Sequence, residues 1–165
     1  SILQKACVTL ANLIFIISFF IPFVTYIFPY GSFAYNLLDK LTTGRLYYQN
    51  ILCSFYKPHL LGQYITEVGL GGSTGNVNNY FYIDSSLTRL MYIGGIVFFI
   101  AFLYSWRRCA VSLAKNKLFI FSLVFLVVWV NGFVEDSMAD STTCIFGAFL
   151  LIQNYVTIKD NASKV

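Results

Sequence analysis

Three charged side chains stand where apolar segments of this chain begin or end: Asp84, Arg89 and Glu135. A fourth, Arg45, stands within the loop that joins two of those segments. Arg45 follows Thr42-Thr43-Gly44, a break between two stretches with helical periodicity, so it falls in the first turn of the second helix. A cation there opposes the helix dipole. An anion held jointly by the guanidinium and the free backbone N–H groups of that turn accounts for it; contact with a lipid headgroup accounts for it equally. Asp84 also has two compatible readings. It can cap the helix that follows, or accept a proton and position a hydroxyl at a membrane–water boundary. Arg89 lies one turn inside an otherwise apolar stretch, where a charge is paired, functional or snorkels outward.

Nearby residues extend this set. Glu135 and Asp136 end a later apolar run, so acids and arginines are expected to converge at one face. Asn78-Asn79-Tyr80-Phe81-Tyr82 offers hydrogen-bonding and stacking groups suited to a sugar face. The stretch 69–76 is glycine-rich but lacks the Gly-Lys-Ser/Thr ending of a phosphate loop, and reads as a flexible lid or turn. Cys7, Cys53, Cys109 and Cys144 are scattered without metal-ligand spacing, and His59 is the only histidine. The sequence therefore offers no metal site and calls for no cofactor.

The elements that must carry these groups are lipid-embedded. The 165 residues are 58% hydrophobic and only 11% charged, against about 25% charged in a soluble domain. Four apolar segments approach the length of about 20 residues that crosses a bilayer: 6–28, 87–106, 118–134 and, most interrupted, 142–158. Arg107, Arg108, Lys115 and Lys117 fall together in 107–117, which the positive-inside rule places in the cytoplasm. By alternation, 29–86 and 135–141 are external. The expected fold is all-α: a single polytopic membrane domain of about four transmembrane helices. Its large external loop contains short amphipathic helices. In that loop Phe33, Leu37, Leu38 and Leu41 recur at helical spacing, as do Tyr48, Ile51, Leu52 and Phe55. Thr42 and Thr43 offer hydroxyl caps between the two. The loop's six charges sum to zero, which excludes a nucleic-acid arm. The chain begins with Ser1 and reads as the C-terminal piece of something longer.

In order, the residues 41–46 (Leu-Thr-Thr-Gly-Arg-Leu), 60–62 (Leu-Leu-Gly), 83–90 (Ile-Asp-Ser-Ser-Leu-Thr-Arg-Leu), 92–96 (Tyr-Ile-Gly-Gly-Ile) and 131–135 (Asn-Gly-Phe-Val-Glu) resemble a family. They are similar to the C-terminal half of bacterial polysaccharide polymerases and the related O-antigen ligases. The resemblance implies a metal-independent membrane glycosyltransferase at the outer face of the cytoplasmic membrane. Such an enzyme moves glycan from undecaprenyl diphosphate to an acceptor sugar and works beside other polysaccharide assembly proteins. It implies that Arg45 engages the diphosphate; Arg89 is the second candidate for that contact, and Asn78, Asn79 and Tyr80 are the candidates for the sugar face. The ligases carry a histidine entering the late span, whereas this chain offers Asp84, so it leans toward a polymerase. Asp84 is the first candidate for the general base and Glu135 the second. A transporter or flippase fragment and a non-catalytic membrane subunit are the alternatives.

Overall fold

The structure, a computed structural model, describes residues 2–67 and 81–138. The expected fourth span, 142–158, lies outside the described residues. Those described are helical throughout their regular elements: α1 (Ile2–Ser18), α2 (Val24–Ile27), α3 (Phe33–Leu41), α4 (Arg45–Phe55), α5 (Ser86–Tyr92), α6 (Ile96–Lys115) and α7 (Phe119–Asn131). A 3-10 turn at Ile21–Phe23 joins α1 to α2, and another at Asp136–Met138 follows α7.

Two apolar segments are long enough to cross a membrane, Ile2–Ile27 and Ile96–Lys115. The first is bent where Pro22 lacks the N–H that would continue the helix. At this bend the carbonyl of Ile21, which accepts from Val24 N–H, also accepts from Gln49 Nε2 at 2.8 Å, tying α4 to the end of the span. α7 has 13 residues, roughly 20 Å of helix against a hydrocarbon core of about 30 Å. It is therefore shorter than the expected 118–134.

The second expected span, 87–106, is corrected. It is two helices, separated at Ile93-Gly94-Gly95. The break admits another piece of backbone: Ile96 N–H donates to His59 O (3.0 Å), Val97 N–H to Leu60 O (3.2 Å) and Gln63 N–H to Ile93 O (3.2 Å). The irregular stretch 59–63 thus satisfies the first amides of α6, which no intrahelical carbonyl can reach. Glycine is required on both sides of this approach. Gly62 (φ +90°) and Gly95 (φ +93°) are left-handed or nearly so, and a Cβ on either would collide with the other segment's backbone.

The expected cytoplasmic connection 107–117 is also mostly helix. α6 runs on to Lys115 because Cys109, Ala110, Leu113 and Ala114 bury against its neighbours, and only 116–118 turn. Arg107 accordingly lies along the helix, its Nε donating to Asn12 Oδ1 of α1 at 2.8 Å. α1, α6 and α7 each pack against the other two around Phe99, Leu103, Trp106, Phe125 and Trp129. Ser122 Oγ donates to Ala110 O at 2.9 Å where α6 and α7 cross.

Gly95→Ala is expected to cost about 2–4 kcal/mol, combining a strained φ with a backbone collision. Gly31→Ala is the control: it has φ +80° but open space around it, and should lose about 1 kcal/mol. Thermal unfolding of both variants in detergent measures the difference, and equal losses would mean that the 59–63 segment does not sit in the break.

Candidate functional site

The short helix α5 is assembled from both ends by other elements. Its cap is Ser85, whose Oγ accepts from Thr88 N–H at 3.3 Å, and not the expected Asp84. The next two amides are satisfied by the end of α7: Ser86 N–H donates to Glu135 O (3.0 Å) and Leu87 N–H to Gly132 O (3.4 Å). Ser86 Oγ also donates to Glu135 O (2.7 Å) and accepts from Met138 N–H (3.0 Å). Orphan donors of one helix start thus meet carbonyls beyond another helix's end. This pairing sets 83–89 against 132–138.

Arg45 reaches the same junction. Gly44, at φ +83°, precedes it as the N-cap of α4. The threonine hydroxyls do not cap α4 as expected, since Thr42 Oγ1 donates back to Leu38 O (2.9 Å) and Thr43 Oγ1 to Thr42 O (2.7 Å). Asp39 of α3 does so instead, its Oδ1 accepting from Tyr47 N–H at 3.1 Å. The expected anion at this helix start is thus in part a carboxylate of the chain itself. The Arg45 guanidinium crosses to the end of α7, where Nη1 donates to Val134 O at 2.8 Å and pairs with Glu135 Oε1. Its Nη2 and Nε have no hydrogen-bond partner among the described residues.

Between these elements lies a recess of about 40 Å³, lined by Thr42, Arg45, Leu46, Asp84, Thr88, Phe133 and their neighbours. It is large enough for roughly one or two waters. Arg45 and Asp84 therefore line one space, although they are far apart in sequence. The Asp84 carboxylate makes no hydrogen bond among the described residues. Burial pushes its pKa above the ordinary carboxylate value; Arg45 opposes that rise, while Glu135, Asp136 and Glu67 add to it. Thr88 is fully buried and its Oγ1 lacks a partner among the described residues.

Arg89 sits differently. Its Nη2 pairs with Glu67 Oε2 at 2.6 Å, and its Nη1 contacts Tyr82 OH at 2.7 Å and Asp136 Oδ2 at 3.3 Å. The Tyr82 hydroxyl donates in turn to Asp136, and Glu67 Oε1 accepts from Ile83 N–H at 3.1 Å. Burial lowers the Arg89 pKa, but Tyr82, Glu67 and Asp136 more than offset this and hold it above the ordinary value. Burial, then the bond to Asp136, raises the Tyr82 pKa. Arg89 is thus a clasp joining 67, 82–83 and 136, with its donors turned to protein acids. Sequence reasoning grouped Tyr82 with the sugar-facing residues, whereas it bonds Asp136 and Arg89. It missed the contacts of Glu67 and Ser86, because nothing in local periodicity links residue 67 to 89 or 86 to 135. An arginine inside an apolar stretch was the one signal that acids must come to meet it.

The candidate sugar-facing residues Asn78, Asn79 and Tyr80 lie outside the described residues, as does 69–76. Among the described residues no cluster of His, Cys, Asp and Glu is arranged to hold a metal. No protein-family model, curated protein or solved structure matches this chain.

Two outcomes follow from this geometry. Asp84 has a raised folded pKa, so its contribution to stability is fully present below the unfolded value and lost as pH rises through the folded one. Asp84→Asn should therefore raise the unfolding temperature at pH 7, with the gain shrinking as pH falls toward 4. Arg89→Met strands two acids whose side chains are 13% and 32% exposed. It should cost roughly 2 kcal/mol, below the 3–5 of a fully buried pair. Arg45→Met, breaking a pair that is 31% and 41% exposed, should cost under about 1 kcal/mol. Denaturant titration of both variants ranks them, and the reverse order would contradict the assignment of Arg89 as the clasp.

Proposed function

We propose that this junction is the reaction site of a lipid-linked glycan polymerase, which transfers glycan from undecaprenyl diphosphate to an acceptor sugar at the outer face of a membrane. The observation that carries the reading is that Arg45 and Asp84 line the same recess. A non-catalytic anchor and a helix cap have no reason to converge, and the cap is Ser85.

In this reading the acceptor hydroxyl enters the recess and gives its proton to the Asp84 carboxylate. Its oxygen bonds to the anomeric carbon of the donor sugar. The bond from that carbon to the diphosphate oxygen breaks, and the electron pair leaves on the diphosphate. Arg45 offers Nη2 and Nε to the growing negative charge, a planar fork suited to phosphate oxygens. A raised pKa makes Asp84 a stronger base than an exposed carboxylate. Thr88 Oγ1 is placed to hydrogen-bond the hydroxyl. Glu135 holds Arg45 in position and is the second candidate for the base. Arg89 supports the site as a clasp, and Asn78, Asn79 and Tyr80 remain the proposed sugar contacts.

Binding tests this reading without requiring turnover. In nanodiscs, a short polyprenyl diphosphate should bind the chain more tightly than the matching monophosphate. Arg45→Ala should weaken diphosphate binding about tenfold or more, and Glu135→Gln should strengthen it by removing a competing carboxylate. Equal affinity for diphosphate and monophosphate, unchanged in Arg45→Ala, would sink the proposal and leave Arg45 as a headgroup contact.

A further inference from the structure

Helix α3 is amphipathic in the inverse sense. Phe33, Leu37 and Leu41 share an arc of about 80° on a helical projection, and they are 85%, 50% and 71% exposed. The opposite side is the one that packs. Tyr35 is buried, and Asp39 on that side holds the start of α4 through Tyr47 N–H at 3.1 Å. A surface helix that met only water and its own protein would turn Phe33, Leu37 and Leu41 inward.

What covers this face is indicated by its surroundings. The first membrane-length segment also leaves apolar side chains exposed near its end, at Phe20, Phe23, Tyr26 and Ile27. Only residues 28–32 separate that segment from α3, and they fold back on themselves. Ser32 N–H donates to Pro29 O at 3.0 Å, and Ser32 Oγ accepts from Tyr35 N–H at 3.1 Å. α3 therefore begins close to where the segment ends. Lys40 is exposed and lies within about 20° of Phe33 around the helix. That edge suits an ammonium beside lipid phosphates, with its stem along apolar surface.

We infer that α3 is an interfacial helix whose Phe33, Leu37 and Leu41 face is sunk into the bilayer leaflet at the end of the first segment, with Lys40 at the phosphate level. The apolar face enters the headgroup–acyl boundary as monotopic amphipathic helices do. Arg45, four residues beyond Leu41, is then carried at headgroup height. The inference stands on exposure and connectivity and does not depend on the glycan chemistry proposed above.

Photo-crosslinking tests it on the whole chain. Benzoylphenylalanine is placed at Phe33, and the protein is reconstituted in vesicles of phosphatidylethanolamine and phosphatidylglycerol. After irradiation the adducts are weighed by mass spectrometry. Phospholipid adducts should dominate, and Leu37→Asp, a change at a half-exposed position that leaves the core intact, should reduce them at least about threefold. Adducts to a second copy of the chain would show that a protein interface covers this face and would overturn the inference. An absence of adducts would place the face in water and overturn it equally.

Discussion

The fold rests on satisfying the backbone groups of helix ends that meet inside an apolar assembly. An orphaned amide or carbonyl in such surroundings costs roughly 1–3 kcal/mol, and water is scarce there. Two solutions recur in this chain. The first amides of α6 are met by carbonyls from 59–60, and those of α5 by carbonyls from 132 and 135. Each brings together segments that are remote in sequence. With Gly62 and Gly95 forming one close approach and Ser86 the other, the position of everything between is largely determined.

The candidate site is a by-product of these helix-end pairings. Glu135 is beside Asp84 because its own carbonyl serves Ser86, and Arg45 comes to Glu135 because α4 is tied to the bend at Pro22 through Gln49. The two arginines then part in role. Arg89 has three protein partners and acts inward, holding the junction closed. Arg45 commits one nitrogen to Val134 and Glu135 and is among the residues that line the recess. Charge of the same sign thus serves cohesion in one case and lines a recess in the other.

Much of the helical content was legible in the sequence, because hydrophobic runs and periodicity are local signals. The break before Arg45 and the helices on either side of it stand where Thr42-Thr43-Gly44 places them. The convergence of Arg45, Asp84 and Glu135 could be suspected from charges gathering at segment ends. What was not legible is non-local. Gly94-Gly95 reads as a packing notch in a continuous span until the 59–63 backbone is known to fill it. Arg107 and Arg108 read as a loop until Cys109, Ala110 and Leu113 are seen to bury. The outward turn of Phe33, Leu37 and Leu41 follows from which side of α3 meets α4, and periodicity alone does not distinguish the two.

The most direct test of this account is the solvent exchange of the Ser86 and Leu87 amides, read by NMR of the chain in nanodiscs. Were the end of α7 not docked against the start of α5, these would be free first-turn donors and would exchange rapidly. Pairing with the Glu135 and Gly132 carbonyls predicts that both are protected, and that Glu135→Pro, which removes no carbonyl but disturbs the turn presenting it, releases them together. Rapid exchange of both amides in the unaltered chain would contradict the account at its centre.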